Sequence, residues 1–383
     1  MRYRLTCLTP LLVGDGRRLS PIDYMVWKDQ VNVLDQNRIF NLLAKGPRLE
    51  GYLMQLKKAD KLDFASWGGF AQNFADRRIP FEHKSMTAYW ERARAENLFI
   101  PTFAAGLQGP YIPGSALKGA LRTGLVFSRW SGNTLKDIAG RMQGERSPRR
   151  PGDAAEEQAI GAPEYSRMKA VAISDSAPVS YASMKVYLLR VATLVSRGAG
   201  RYELGWKQAP RGSVDGRRPE DSTPWFAEMA APGTTFEGGL HLNQFFHQPE
   251  IVRALRWREP PDQSTLFRAA NRYAADLLAR TKSYAAMAGL GRVEASVGEL
   301  EAEVSKAETE GACILPLGWG AGLMAKSAWL DTGDETYRQV MSQVPLYAKA
   351  VQTGMPFPKT RRVVFFENQP AAMPGWVRLE LTG

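Results

Sequence analysis

The stretch that most narrows how this chain can fold is YIPGSALKGALRTGLVF, Tyr111 to Phe127. Leu117, Leu121 and Leu125 recur every four residues, the spacing of one apolar stripe on an α-helix. Ala116, Gly119, Ala120 and Gly124 leave room for another backbone to lie close against that helix. Pro113 and Gly114 stand where a helix begins, and Ser115 is placed to act as its N-cap. Lys118 and Arg122, also four apart, share a face beside the buried one. A helix N-terminus carries unsatisfied amides and partial positive charge, so an exposed one flanked by a basic pair suits a phosphate. Gly114, Ser115, Lys118 and Arg122 are therefore candidate phosphate ligands, with an ordinary solvated basic face as the competing reading.

Around this helix the chain reads as short strands and long insertions. Arg2 to Val13 alternates and ends in the turn Gly14-Asp15-Gly16, and Asp23 to Leu34 reads as a hairpin with Lys28-Asp29-Gln30 at its tip. A helical pattern starts at Asn37 (Ile39, Leu42, Leu43) and resumes after Gly46-Pro47 (Leu49, Leu53, Leu56). Phe64, Trp67, Phe70 and Phe74 form an aromatic stripe better suited to a core than to stacking on bases. Residues 141–163 are charged, rich in Pro and Gly, and predicted to be a mobile insertion. Val171–Ser176, Lys185–Val195 and Thr234–Leu242 read as strands, Thr265–Met287 as a long helix and Ala312–Leu317 as another strand. Ser196–Ser222 reads as a basic projecting hairpin or loop, and RRVVFF and WVRLEL close the chain as strand-like runs. Without the insertions the order is strand, helix, strand, then strand, helix, strand. That is the βαββαβ plan of an α+β, ferredoxin-like or RRM-like core with large insertions. Residues 1–247 would hold its first part, interrupted at about 17–110 and 130–165, and residues 248–383 the remainder with C-terminal strands.

Charge points to the partner. The 383 residues carry a formal net charge of +11, from 50 Lys and Arg against 39 Asp and Glu, which favours nucleic acid or an anionic membrane surface over a neutral partner. No run of ~18 apolar residues spans a bilayer, so a cytoplasmic location is expected. Two cysteines, Cys7 and Cys313, exclude a disulfide framework, and His83, His241 and His247 show no metal-ligand spacing. No metal and no cofactor is expected.

A second motif sits near the C-terminus, GWGAGLMAKSAW from Gly318. It nearly matches a P-loop, but Ala325 stands where the glycine before the lysine belongs. Starting at residue 320 of 383, it also leaves too little chain for the rest of a P-loop or Rossmann domain. The better reading is that Gly318, Gly320 and Gly322 free the backbone amides to hold a phosphodiester, with Lys326 at the edge. A tight turn whose glycines serve packing alone is the alternative.

Taken together, these stretches resemble the RAMP superfamily of CRISPR effector proteins. TPLLVGDGRRLSPIDY (Thr9–Tyr24) looks like the family's first strand and glycine turn, and YIPGSALKGALR (Tyr111–Arg122) like its signature helix. ISDSAP (Ile173–Pro178), APGTTFEGGLHL (Ala231–Leu242) and LGWGAGLMAKS (Leu317–Ser327) follow in family order. Within the superfamily, the LSPIDYMVWKDQVNVLD hairpin and the closing FPKTRRVV and GWVRLEL look most like the type III-A subunit that caps the backbone filament at the 3′ end of the guide RNA. The resemblance implies a subunit with no catalytic residues that binds the guide. Its implied partners are neighbouring RAMP backbone subunits and small helical subunits, target RNA only indirectly, and no membrane. Another RAMP backbone subunit of a type III complex is the near alternative. Asp15 lies in the early glycine turn but lacks a pattern marking it as the target-cleaving aspartate of such subunits, and Asp175 is read as capping a turn.

In this picture Lys118, Arg122, Lys326 and the Gly318–Gly322 amides hold phosphates, joined by Arg17 and Arg18. Lys185, Arg190, Arg197 and Arg201 are expected to form a basic thumb, with Trp206 or Tyr202 stacking on a base. Two rivals remain: a metal-independent endoribonuclease using His83 as general base, and an adaptor that touches only proteins.

Overall fold

The computed structural model describes residues 1–58, 61–62, 73–143, 150–198, 200–208 and 216–382. Phe64, Trp67 and Phe70 lie outside these residues, while Phe74 is buried in a small satellite core with Ile39, Leu43 and Tyr52. The elements that position the site are β1 (Arg2–Cys7), α1 (Gly114–Phe127), β2 (Val171–Ile173), β3 (Met184–Ser196), β4 (Tyr202–Trp206), β5 (Trp225–Ala230) and β6 (Thr235–Leu242). They continue with α2 (Gln263–Met287), α3 (Gly291–Thr309), β7 (Cys313–Pro316), β8 (Thr360–Phe366), β9 (Gln369–Ala372) and β10 (Trp376–Thr382). The protein is a mixed α+β structure with two main sheets over one continuous core.

The first sheet is antiparallel throughout, in the order β7–β10–β1–β6–β2. It departs from the ferredoxin-like plan in two respects. A second helix, α3, follows α2 before β7, and β10 lies between β7 and β1. The cause is directional: a helical hairpin reverses the chain once more than a single helix does. As a result β7 runs parallel to β1, and a strand antiparallel to both fits between them. The Glu-rich pattern of α3 was not read as a helix from sequence, nor were the shorter helices Glu335–Ser342 and Pro345–Gln352.

Of the small residues Ala116, Gly119, Ala120 and Gly124 of α1, only Gly124 admits another backbone; a Cβ on Gly119 would meet nothing within 4 Å, and Gly119 with Ala116 and Ala120 lines an open cleft. A Cβ on Gly124 would stand 3.0 Å from the Ala270 Cα of α2, so the two helices touch backbone to backbone there. Phe127 meets Tyr273 edge-on at 5.2 Å, and the Tyr273 hydroxyl donates to the Met324 carbonyl at 2.6 Å, tying the glycine-rich loop to α2. Asn271, 1% exposed, donates to Ala312 O and accepts from Ile314 N, satisfying the free edge of β7 inside the core.

The second sheet runs β4–β3–β8–β9, with β5 on the first half of β3. The early insertion carries a three-stranded sheet, Tyr24–Trp27, Gln30–Leu34 and Ala75–Pro80. At its tip Lys28 and Asp29 have φ of 52° and 56°, the two-residue turn that matches strand twist. The insertion expected to be mobile holds a helix, Asp153–Ile160, in its described part. Ala155, Ala159 and Ile160 bury its inner face; residues 144–149 lie outside the described residues.

Candidate nucleic-acid interface

The loop after β7 is pinned from three sides. Leu317 N donates to Gly375 O at 2.7 Å, Gly375 N to Pro10 O at 3.0 Å, and Trp319 N to Leu12 O at 2.7 Å. Gly318 has φ +79°, and a Cβ there would sit 2.2 Å from Leu12 O. Gly320 has φ +93° and would place a Cβ 2.9 Å from Pro374. The close approach permitted by these two glycines is thus to the protein's own chain. Gly322, φ +89°, faces open space. Among the described residues the amides of Gly320, Ala321 and Gly322 have no hydrogen-bond acceptor; Gly320 is buried, so the two donors free for a ligand are those of Ala321 and Gly322. The loop leads into a short 3-10 turn, Met324–Lys326, so the helix a P-loop needs is missing here.

On one side of this loop lies an open cleft of about 700 Å³ between α1, the Gly14–Arg18 turn and the loop itself. Arg17, Arg18, Arg122 and Lys326 line it with Gly318. Arg17 pairs with Asp15 at 3.4 Å and Arg122 with Glu156 of the insertion helix at 2.5 Å, while Arg18 rests on the Phe99 ring at 4.3 Å. Lys326 is exposed and has no carboxylate partner among the described residues. Exposed pairs of this kind hold within about 1 kcal/mol, so an incoming phosphate can displace either carboxylate.

On the other side lies a smaller cleft, about 360 Å³, lined by Gly320 and Gly322 together with Lys207, Lys359, Arg361 and Arg362. Ala321 lines both clefts. So does one stacked pair: Trp319 faces the first cleft, Arg362 the second, with the guanidinium 4.6 Å from the ring centre. The result is a basic track that crosses the glycine-rich loop.

Several expected ligands fall elsewhere. The α1 N-terminus is not an open anion site: Gly114 is buried, a Cβ on it would lie 2.3 Å from Ile173 O, and its amide donates to Asp175 Oδ1 at 2.8 Å. Ser115 is exposed in the first turn and caps nothing; the cap position belongs to Pro113. Lys118 is half-buried, its pKa pushed down by burial, and it does not line the cleft that Arg122 lines. Arg190 is 2% exposed, donates to Ser222 O at 2.7 Å and lies over Tyr89 and Phe365, so it is a core group.

The thumb does not assemble. Lys185 begins β3, Arg190 is buried midway, and Arg197 and Arg201 flank the turn after Ser196. At ~3.3 Å per residue that strand separates Lys185 from Arg197 by roughly 40 Å. Arg197 is paired with Glu203, Arg201 is exposed, and Trp206 is buried edge-on against Phe365. His83 lines neither cleft; its Nδ1 is 2.8 Å from Ser85 Oγ, which donates to Asn368. The sequence reading missed Lys207, Lys359, Arg361 and Arg362, although the run PKTRR entering a strand was a visible signal.

Among the described residues, no group of three His, Cys, Asp or Glu could hold a metal, and no helix is long and apolar enough to cross a membrane. Cys7 and Cys313 are free and buried, and burial pushes the Cys7 thiol up to about 12.

Residues 4–283 match the sequence profile of the RAMP superfamily. Two solved structures share the fold. One is a chain from the cryo-EM structure of a Csm–crRNA–target RNA ternary complex of a type III-A CRISPR–Cas system, with TM-score 0.70 and 21% identity, covering 99% of this chain and 100% of that one. The other is the crystal structure of T. onnurineus Csm5, with TM-score 0.63 and 20% identity, covering 98% and 99%. No curated protein matches.

Proposed function

The chain belongs to the RAMP superfamily, and from that premise we propose that it is a guide-RNA-binding subunit of a type III-A CRISPR effector complex, without nuclease activity of its own. In this reading it holds the 3′ region of the guide and caps the backbone filament. It docks against neighbouring RAMP backbone and small helical subunits and meets target RNA only indirectly. The fold shared along nearly its whole length with a chain of a Csm–crRNA–target RNA complex supports this assignment. So does a net charge of +11.

The observation that carries the reading is the first cleft. It gathers Arg17, Arg18, Arg122 and Lys326 from three distant parts of the sequence onto one open surface beside free loop amides. An open cleft of that kind suits a continuous ribose-phosphate strand. Its donors address phosphate oxygens, so they fix the strand's path without reading its bases. His83, the candidate general base, lies outside this surface. Arg17, Arg18, Arg122, Lys326 and the Ala321 and Gly322 amides are the proposed guide ligands. Lys118, Lys185 and Arg201 remain exposed or half-exposed cations that a strand reaches only outside the cleft.

The test is guide retention. The assembled complex carrying Arg18→Glu, Arg122→Glu and Lys326→Glu together should purify with its protein partners but with little guide RNA, and residual binding should weaken steeply with salt. Unchanged guide content would remove the proposal. Incubation with guide precursor in EDTA addresses the non-catalytic part: cutting that vanishes in His83→Ala would make the chain a nuclease.

A further inference from the structure

The second cleft differs in kind from the first. It is narrower, and its lining includes Lys207, Lys359, Arg361 and Arg362 with no aspartate or glutamate. None of the four has a carboxylate partner among the described residues. Arg361 is partly satisfied: it donates to Pro358 O and Thr360 O and lies over the Tyr284 ring at 4.6 Å. Arg362 is not. Its guanidinium rests on Trp319, and its Nε is buried without a partner. Arg362 pairs with Val191 across the β3–β8 ladder, and Val191 lines the same cleft, so both side chains share the cleft face of the sheet. Burial also pushes the Arg361 and Arg362 pKa values down.

The rest of the lining is largely apolar and aromatic: Leu323, Met324 and Met373, with Tyr347 set edge-on to Phe357 at 5.7 Å. The exposed part of the loop adds the free Ala321 and Gly322 amides. A volume of about 360 Å³ lies at the low end of small-ligand pockets, enough for one nucleotide and too little for a strand. The lining thus combines cations and free amides with an aromatic ring and aliphatic side chains.

We propose that this cleft binds a nucleoside monophosphate, free or as the terminal residue of an RNA strand, with the phosphate held by Arg362, Lys207, Lys359 and the loop amides and the base lying against Tyr347. The enclosed, unpartnered Arg362 Nε favours an anion, with the unpaired Lys207 and Lys359 beside it, and the free amides choose one with several acceptor oxygens. The apolar part of the lining adds the preference for a base over bare phosphate. This site stands whether or not the first cleft carries a guide.

Fluorescence anisotropy of the full chain with labelled 5′-AMP tests it. Competitors are AMP, adenosine, inorganic phosphate, and a five-nucleotide RNA with phosphate or hydroxyl ends. AMP or the phosphate-ended RNA should compete at least about tenfold better than its phosphate-free counterpart and better than inorganic phosphate. Lys207→Gln with Lys359→Gln, both reaching solvent, should weaken that binding by about tenfold or more, and Arg362→Gln should do the same. Tighter binding of phosphate-ended RNA than of AMP identifies a strand end as the ligand, and the reverse identifies a free nucleotide. The proposal is overturned if adenosine matches AMP, if the Lys207/Lys359 double variant binds like wild type, or if neither AMP nor phosphate-ended RNA binds saturably. The Arg18/Arg122/Lys326 triple variant separates the two sites: it should keep nucleotide binding while guide retention falls.

Discussion

Asp175 Oδ1 accepts the Gly114 amide hydrogen at 2.8 Å, closing the N-terminus of α1 with a carboxylate from 61 residues further along the chain. The anion that this helix end favours is therefore supplied by the protein itself, and the proposed RNA path runs past another part of the helix, where Arg122 lines the open cleft.

Removal of that cap should cost stability and little else. Asp175→Ala is expected to lower the unfolding free energy by about 1 kcal/mol, the usual worth of a side-chain cap, with RNA affinity unchanged. Urea unfolding and a binding titration on the same sample check both halves. A large loss of RNA affinity in a stably folded variant would return the helix end to the binding site.

Cations that line the cleft should separate from those that do not. Lys326→Gln and Arg122→Gln should each weaken RNA binding and lower the slope of log K against log salt by about 0.7, one phosphate contact on a single strand. Lys118→Gln, off the cleft and half-buried, should leave the slope in place. Equal slopes for all three variants would contradict the division drawn here.

The loop glycines should differ in the same way. Gly318→Ala drives a Cβ into Leu12 O at a backbone angle that only glycine adopts freely, so it should destabilise by about 3 kcal/mol or more. Gly322→Ala has the same sign of φ but meets nothing within 4 Å, and should cost about 1–2 kcal/mol. Thermal unfolding of the two variants gives the comparison, and similar midpoints would refute it.

Glu228 should set a pH dependence. It is fully buried, its carboxylate bound by Arg77 and accepting from Phe103 N. Burial raises its pKa above the ordinary 4.5, and Arg77 only partly opposes this. A raised carboxyl pKa contributes stability that is full below 4.5 and is lost as pH climbs through the raised value. Glu228→Gln, which keeps the size without the titration, should therefore gain on wild type as pH rises from about 4.5 toward 7 in urea unfolding series. A difference that stays flat with pH would show the charge to be fully compensated.

How much was legible in the sequence depends on the range of the forces involved. The α1 helix, its buried leucine stripe and the hairpin turning near Lys28-Asp29 were readable, because periodicity and turn chemistry act within a few residues; that the backbone against Gly124 belongs to α2 was not. Arg190 and Trp206 were misplaced because a basic or aromatic residue reads the same whether its strand faces solvent or core. The Arg122–Glu156 pair joins residues 34 apart, and the helix carrying Glu156 has few apolar residues to announce it.

The sequence by itself determined the superfamily, the basic balance and the two glycine-bearing motifs. Each is written in a short run or in a sum over the chain. Only the tertiary structure decided where the charges meet. It buried Arg190, handed the α1 N-terminus to Asp175, and laid Arg17, Arg18, Arg122 and Lys326 on one side of the glycine-rich loop with Lys207, Lys359 and Arg362 on the other. Electrostatic sites depend on distances through space, and strand pairing and helix packing fix those only once the whole core has closed.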